Sequence, residues 1–179
     1  MASTKDRALR AAVEEVGDHG IRALTHARVD ARAGLPKGST SNWFRTRSAL
    51  VAGVVAHLGD EERAMAPVSK VATPDDLIDV ICAMVQRASG PDAARTRVRL
   101  ALALEAAHSP PLRTPLQEQR SAFVAWTADL LAQIGAKHPE EAARTLLACG
   151  NGLLFHRLTV EPGAEIRPVI ERCVRACLE

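Results

Sequence analysis

At 179 residues the chain matches one ordinary domain, or one domain with a small appended module, which argues against a multidomain machine. Apolar residues make up 47% and charged residues 25%, a globular rather than a disordered composition, and aromatics are only 3% with no Tyr, which favours helices over a sandwich or barrel. The net charge of +2 conceals an asymmetry: residues 1–50 carry nine basic and five acidic groups, the remainder 14 basic and 16 acidic, so one end of the molecule is suited to a polyanion.

The longest uncharged runs, Ser48 to Gly59 and Thr145 to His156, are each 12 residues, short of a membrane span. Residues 1–10 lack the apolar segment of a signal peptide, so a cytoplasmic chain with reduced cysteines is expected. Cys82, Cys149, Cys173 and Cys177 form no C-x-x-C pair and have no His at metal-finger spacing. Buried thiols are therefore expected, with no metal and no cofactor.

In chain order, Thr4 reads as the N-cap of a first helix with Leu9, Ala12, Val13 and Val16 inward, stopped by Gly17 and Gly20. Thr25 caps a two-turn helix that ends at Gly34, the left-handed residue of a tight turn. The third helix, Lys37 to Phe44, is polar almost throughout until Trp43 and Phe44, so most of it has to face outward. A long helix follows from about Ser48. Thr73-Pro74-Asp75-Asp76 opens the next with a cap, a Pro at the first helical position and first-turn acids. Breaks at Gly90-Pro91, Ser109-Pro110-Pro111, Gly135 and Pro162-Gly163 separate the rest, and the last helix sets Ile170, Cys173, Val174, Cys177 and Leu178 on one stripe. The pattern predicts an all-α protein of nine helices.

Two short helices joined by a Gly-containing turn, the second polar and on the basic part of the chain, form a helix-turn-helix whose second helix fits the major groove. Ala23-Leu24-Thr25, Ala33-Gly34-Leu35-Pro36-Lys37-Gly38-Ser39 and Trp43-Phe44-Arg45-Thr46-Arg47-Ser48-Ala49-Leu50 resemble the signature of the TetR family of transcriptional regulators. The resemblance covers about Leu9 to Leu58. It departs at Ser41, where the family commonly has Tyr, at Trp43, where it has His or Tyr, and at Arg47, where it has Lys; these changes bear on which operator is read.

The resemblance implies a DNA-binding domain over residues 1–47 and a ligand-binding and dimerisation domain over 48–179. It implies a homodimeric, ligand-responsive regulator, a repressor released from double-stranded operator DNA by a small effector, and not an enzyme. DNA contacts are expected from Thr25, Arg28, Lys37, Gly38, Ser39, Thr40, Ser41, Asn42, Trp43 and Arg47, with hydroxyl, amide and cationic groups meeting phosphates and base edges. Lys37 is placed at the start of the recognition helix. Arg28 has two readings, a DNA contact or an ion pair with Asp30 or a nearby acid, and Trp43 has two, a phosphate contact or packing on the next helix. Ligand contacts are expected from Cys82, Glu105, His108, Phe123, Trp126, Asn151 and Phe155, on helices that line the family's pocket.

Glu105 is the one charge between Leu100 and Ala107 and needs a partner, Arg99, Arg120 or a ligand. An uncharged or cationic apolar effector fits this composition, the cationic preference requiring an unpaired Glu105. Gly150 and Gly152 permit close helix packing and, with the stripe of the last helix, suggest a dimer seam through the last two helices. Two rival readings are an acid/base pair of Glu105 and His108 and a thiol sensor of Cys173 and Cys177, for which apolar surroundings predict inert thiols.

Overall fold

The computed structural model describes residues 3–65 and 71–179, leaving out the side chains of residues 62–65 and 111. Among the described residues there are nine α-helices and no strand: α1 (Thr4–His19), α2 (His26–Ala33), α3 (Ser39–Trp43), α4 (Arg47–Met65), α5 (Pro74–Ser89), α6 (Ala93–Ala106), α7 (Pro110–Gln133), α8 (Pro139–Thr159) and α9 (Arg167–Ala176). A short 3-10 turn, Ile21–Ala23, links α1 to α2. The all-helical, nine-helix expectation is met. No described helix is long and apolar enough to cross a membrane.

The caps follow local chemistry, with corrections. Ser3, rather than Thr4, caps α1: its hydroxyl accepts from the Asp6 amide at 3.1 Å while the Asp6 carboxylate accepts from the Ser3 amide at 3.1 Å. This reciprocal pair satisfies two otherwise orphaned donors and outweighs a cap one residue later. Gly17 does not stop α1, which runs on to Gly20, where φ reaches 78°. Gly17 faces α6, where a Cβ would make an ordinary contact at 3.5 Å from the Ala94 carbonyl oxygen. The Thr46 hydroxyl accepts from the Ala49 amide at 3.0 Å, so α4 begins at Arg47, a residue before the expected start.

The chain divides into two compact units, residues 1–66 with 94–118, and residues 67–93 with 119–179. Compactness therefore follows a different line from the functional boundary placed at residue 47, because α4 and α6 share a core with the first three helices. Leu9, Val16, Leu24, Val29, Leu50, Val54, Val98 and Leu102 belong to that core. Phe44, closing α3, packs into it beside Gly53 of α4.

Gly53 is needed there, because a Cβ would fall within 2.9 Å of the Phe44 Cζ. Gly53→Ala should destabilise the first unit despite the roughly 1 kcal/mol helix-propensity gain of Ala over Gly, since overpacking typically costs about 1–3 kcal/mol. A thermal melt lowered relative to wild type is the expected outcome; a raised melting temperature would show that the ring yields freely.

In the second unit α9 packs on α5 and α8. Thr73 caps α5 in a second reciprocal box with Asp76. Ile170 and Val174 of α9 are fully buried with Leu77, Ile78, Leu131 and Leu146. This corrects the reading of the whole α9 stripe as a dimer seam, since its two best-buried members are consumed within the chain.

Candidate nucleic-acid interface

The loop from α2 to α3 is organised by one carboxylate. Gly34 takes the left-handed conformation (φ 62°, ψ 39°), and the Leu35 amide reaches back to the Asp30 carbonyl at 2.9 Å, closing α2 in a Schellman-type turn. Gly38, at φ 87°, repeats the left-handed step immediately before α3. Asp30, 2% exposed, faces this loop. Its Oδ2 accepts from the Gly38 amide at 2.8 Å, and its Oδ1 accepts from the Thr40 amide at 2.8 Å and the Thr40 hydroxyl at 2.5 Å. Burial opposes ionisation of Asp30, but these hydrogen bonds outweigh it and hold the carboxyl below its ordinary 3.8. A second tie runs from His26, whose Nε2 donates to the Phe44 carbonyl at 2.6 Å and so fixes the far end of α3 to the start of α2.

Behind the motif lies a second buried carboxylate. Glu15 of α1, 3% exposed, accepts from Arg28 Nε through Oε1 and from Arg32 Nε through Oε2 at 2.8 Å. Arg32 also donates to Asp18 at 2.8 Å, and His19 Nδ1 lies 3.3 Å from Glu15. Burial pushes the Glu15 carboxyl up, yet the two arginine hydrogen bonds carry it below 4.5. The cluster staples α1 to α2, and the Arg7 guanidinium adds a bond to the Ala33 carbonyl at 2.8 Å.

These supports sort the expected DNA-contacting residues. Lys37, Gly38, Ser41, Asn42 and Trp43 are exposed together on the loop and α3, with Trp43 at 40%. Lys37 lies in the turn preceding α3, because the left-handed Gly38 delays the helix to Ser39. Ser39 is half-buried and its hydroxyl donates to the Pro36 carbonyl at 2.7 Å. Thr40 is corrected: fully buried with its hydroxyl on Asp30, it positions α3 and presents nothing outward. Thr25 is exposed and caps α2 by accepting from the Arg28 amide at 3.3 Å. Arg28 pairs with Glu15, not Asp30, and keeps 49% of its side chain exposed. Arg47 donates to the Ile21 carbonyl at 2.9 Å and stands 3.7 Å from Glu105.

That last contact gives Glu105 a partner in Arg47, a residue the sequence reading did not name for it. The sequence pattern missed the roles of Asp30, Glu15, His26 and Gly53. Asp30 left a signal, since it adjoins Val29 on the inward side of α2, where a carboxylate has to find donors.

Comparison with known proteins decides the lineage. The family described as tetracyclin repressor-like, C-terminal domain, matches residues 72–179, more than half of the chain. The chain belongs to the TetR family. Among solved structures, this TetR-family protein resembles a transcriptional regulator from Rhodococcus sp. Rha1, with 22% identity over 98% of this chain and 96% of that one and a TM-score of 0.84. It resembles a TetR-family member from Streptomyces coelicolor A3, with 25% identity, 98% and 99% coverage and a TM-score of 0.80. It also resembles the multidrug binding protein EbrR complexed with ethidium, with 24% identity, 98% and 99% coverage and a TM-score of 0.80. A search of curated proteins gives no match.

The residues of this TetR-family regulator expected to meet a ligand fall in both units. Glu105, paired with Arg47, and His108, exposed, belong to the first. In the second, Phe123 and Trp126 stack at 5.3 Å between ring centroids with 29° between planes, and both are half-buried. Cys82 and Asn151 are half-buried as well, and burial raises the Cys82 thiol pKa. Phe155 is 47% exposed and meets His156 edge-on at 6.0 Å.

Proposed function

We propose that the protein is a homodimeric transcriptional repressor that engages a near-palindromic operator through α3 and leaves it when a small apolar effector binds the second unit. The observation carrying this reading is the Asp30 bracket, which holds an otherwise weak five-residue helix in place with Lys37, Ser41, Asn42 and Trp43 outward. An isolated helix this short does not persist in water. Its rigid attachment to α2 and to the Phe44 core contact supports insertion as a preformed unit into a major groove. The basic excess of residues 1–50 supplies the sequence-independent attraction to phosphate. In a dimer, two such helices would meet half-sites about 34–36 Å apart.

The dimer reading rests on α8 and on Val169 of α9 rather than on Ile170 and Val174, which are buried within the chain. A Cβ at Gly150 or Gly152 would meet nothing within 4 Å inside the chain, and Phe155, Val160 and Val169 are exposed apolar side chains in the same unit. For the effector, the partner of Glu105 removes the earlier reason to favour a cation, since Arg47 already balances that charge. The Phe123–Trp126 stack instead favours a planar aromatic ligand. Such a ligand releases DNA only if it binds the non-DNA-bound conformer more tightly.

Fluorescence anisotropy with labelled operator tests the interface. Lys37→Ala should weaken operator and non-operator DNA alike and reduce the salt slope by about one, the signature of a lost phosphate contact. Asn42→Ala should instead relax preference among operator variants, because base-edge contacts specify sequence. Unchanged affinity and preference in both variants, measured at two salt concentrations, would remove α3 from the interface.

A further inference from the structure

Operator binding and effector release make no use of a group of thiols in the second unit. Cys149 of α8, Cys173 of α9 and Cys177 at the end of α9 are free and half-buried, and the Cys173 sulfhydryl interacts with both of the others. Cys173 and Cys177 are one helical turn apart, with the Cys177 amide bonded to the Cys173 carbonyl at 3.1 Å, so their side chains share a face. Both open on a cavity of about 310 Å³, bordered also by Lys137, His138, Glu141 and Thr145. This cavity lies at the N-terminal end of α8, roughly 20 Å along that helix from Phe155 by the rise per residue. Ile170 and Val174, fully buried on the same helix, hold α9 rigidly beneath the pair.

We propose that Cys173 and Cys177 form a dithiol site for trivalent arsenic or antimony compounds, entered through this cavity. An arsenoxide R–As=O reacts with the two thiols to form two As–S bonds; the As=O bond and two S–H bonds break, and the oxygen leaves with both thiol protons as water. Arsenic stays trivalent, so no oxidant or reductant takes part. Burial, with the neighbouring thiols adding to it, pushes Cys173 up to about 12, and burial also raises Cys177. Both are therefore protonated at neutral pH, which slows attack on peroxides, where the thiolate is the nucleophile. Arsenical exchange begins and ends without net proton release, so the same burial does not oppose it.

The full chain, kept reduced with a phosphine, is titrated with phenylarsine oxide and followed by intact mass and by alkylation after quenching. One adduct per chain is expected, protecting Cys173 and Cys177 and leaving Cys82 and Cys149 open to alkylation. Cys173→Ser and Cys177→Ser should each weaken binding on the order of 10²-fold, because the second As–S bond is intramolecular, while Cys82→Ser and Cys149→Ser retain it. On the wild-type protein, 2,3-dimercaptopropanol should strip the arsenic and an equal thiol concentration of 2-mercaptoethanol should not, a readout independent of any variant's folding. The proposal is overturned by absence of an adduct on the folded chain, by an adduct that survives Cys173→Ser, by its loss in Cys149→Ser, or by equal reversal with the monothiol.

Discussion

Asp30→Ala is expected to abolish measurable operator binding and to destabilise the first unit by about 2–4 kcal/mol, since each buried donor left without a partner costs about 1–3 kcal/mol. The substitution orphans the Thr40 amide and hydroxyl, both buried, together with the more accessible Gly38 amide. Without the bracket, α3 has only the His26–Phe44 tie and the Phe44 ring to hold it. Asp30→Asn separates stability from charge: its carbonyl oxygen can still accept, but its NH₂ faces a donor. Intermediate stability with strongly reduced DNA affinity is therefore expected, read by denaturant unfolding and operator anisotropy. An alanine variant that melts with wild type and binds operator normally would mean that the turn glycines alone position α3.

Glu15→Gln should cost about 1–2 kcal/mol, the worth of hydrogen bonds between charged partners discounted for solvation of the arginines left behind. Arg28 and Arg32 are 49% and 24% exposed, so their charges recover water when the carboxylate goes. Its clearest signature lies in acid. The folded carboxyls of Glu15 and Asp30 are held below their ordinary 4.5 and 3.8. Their contributions are therefore complete above those values and disappear as pH falls through the lower folded values, where the unfolded chain binds more protons. Wild type should lose stability steeply below about pH 4.5, the ordinary value of Glu15. Glu15→Gln should show a lower plateau at neutral pH and a shallower acid limb, as measured by urea midpoints across pH. Parallel acid limbs in variant and wild type would assign the acid sensitivity elsewhere.

The helices, their breaks and the helix-turn-helix were legible from local chemistry. Thr25, Gly34 and Thr73 act through bonds to residues within a few positions, and the outward polarity of α3 is written in its own side chains. The same locality explains the small errors. Ser3 and Thr46 win as caps through hydroxyl geometry that residue type leaves open by one or two positions, and α1 runs through Gly17 to end at Gly20.

The sequence by itself determined an all-helical chain, a basic end bearing an outward polar helix, and a family that residues 72–179 confirm. Tertiary structure decided which polar groups face solvent and which are spent inside. Thr40 turns from a DNA donor into a buried ligand of Asp30, Glu105 finds Arg47 across 58 residues of chain, and Ile170 and Val174 are used within the monomer. Each outcome depends on what stands opposite a side chain after packing. Partners distant in sequence are set by how helix faces meet, and a one-dimensional pattern records the face of a helix but not what that face will touch.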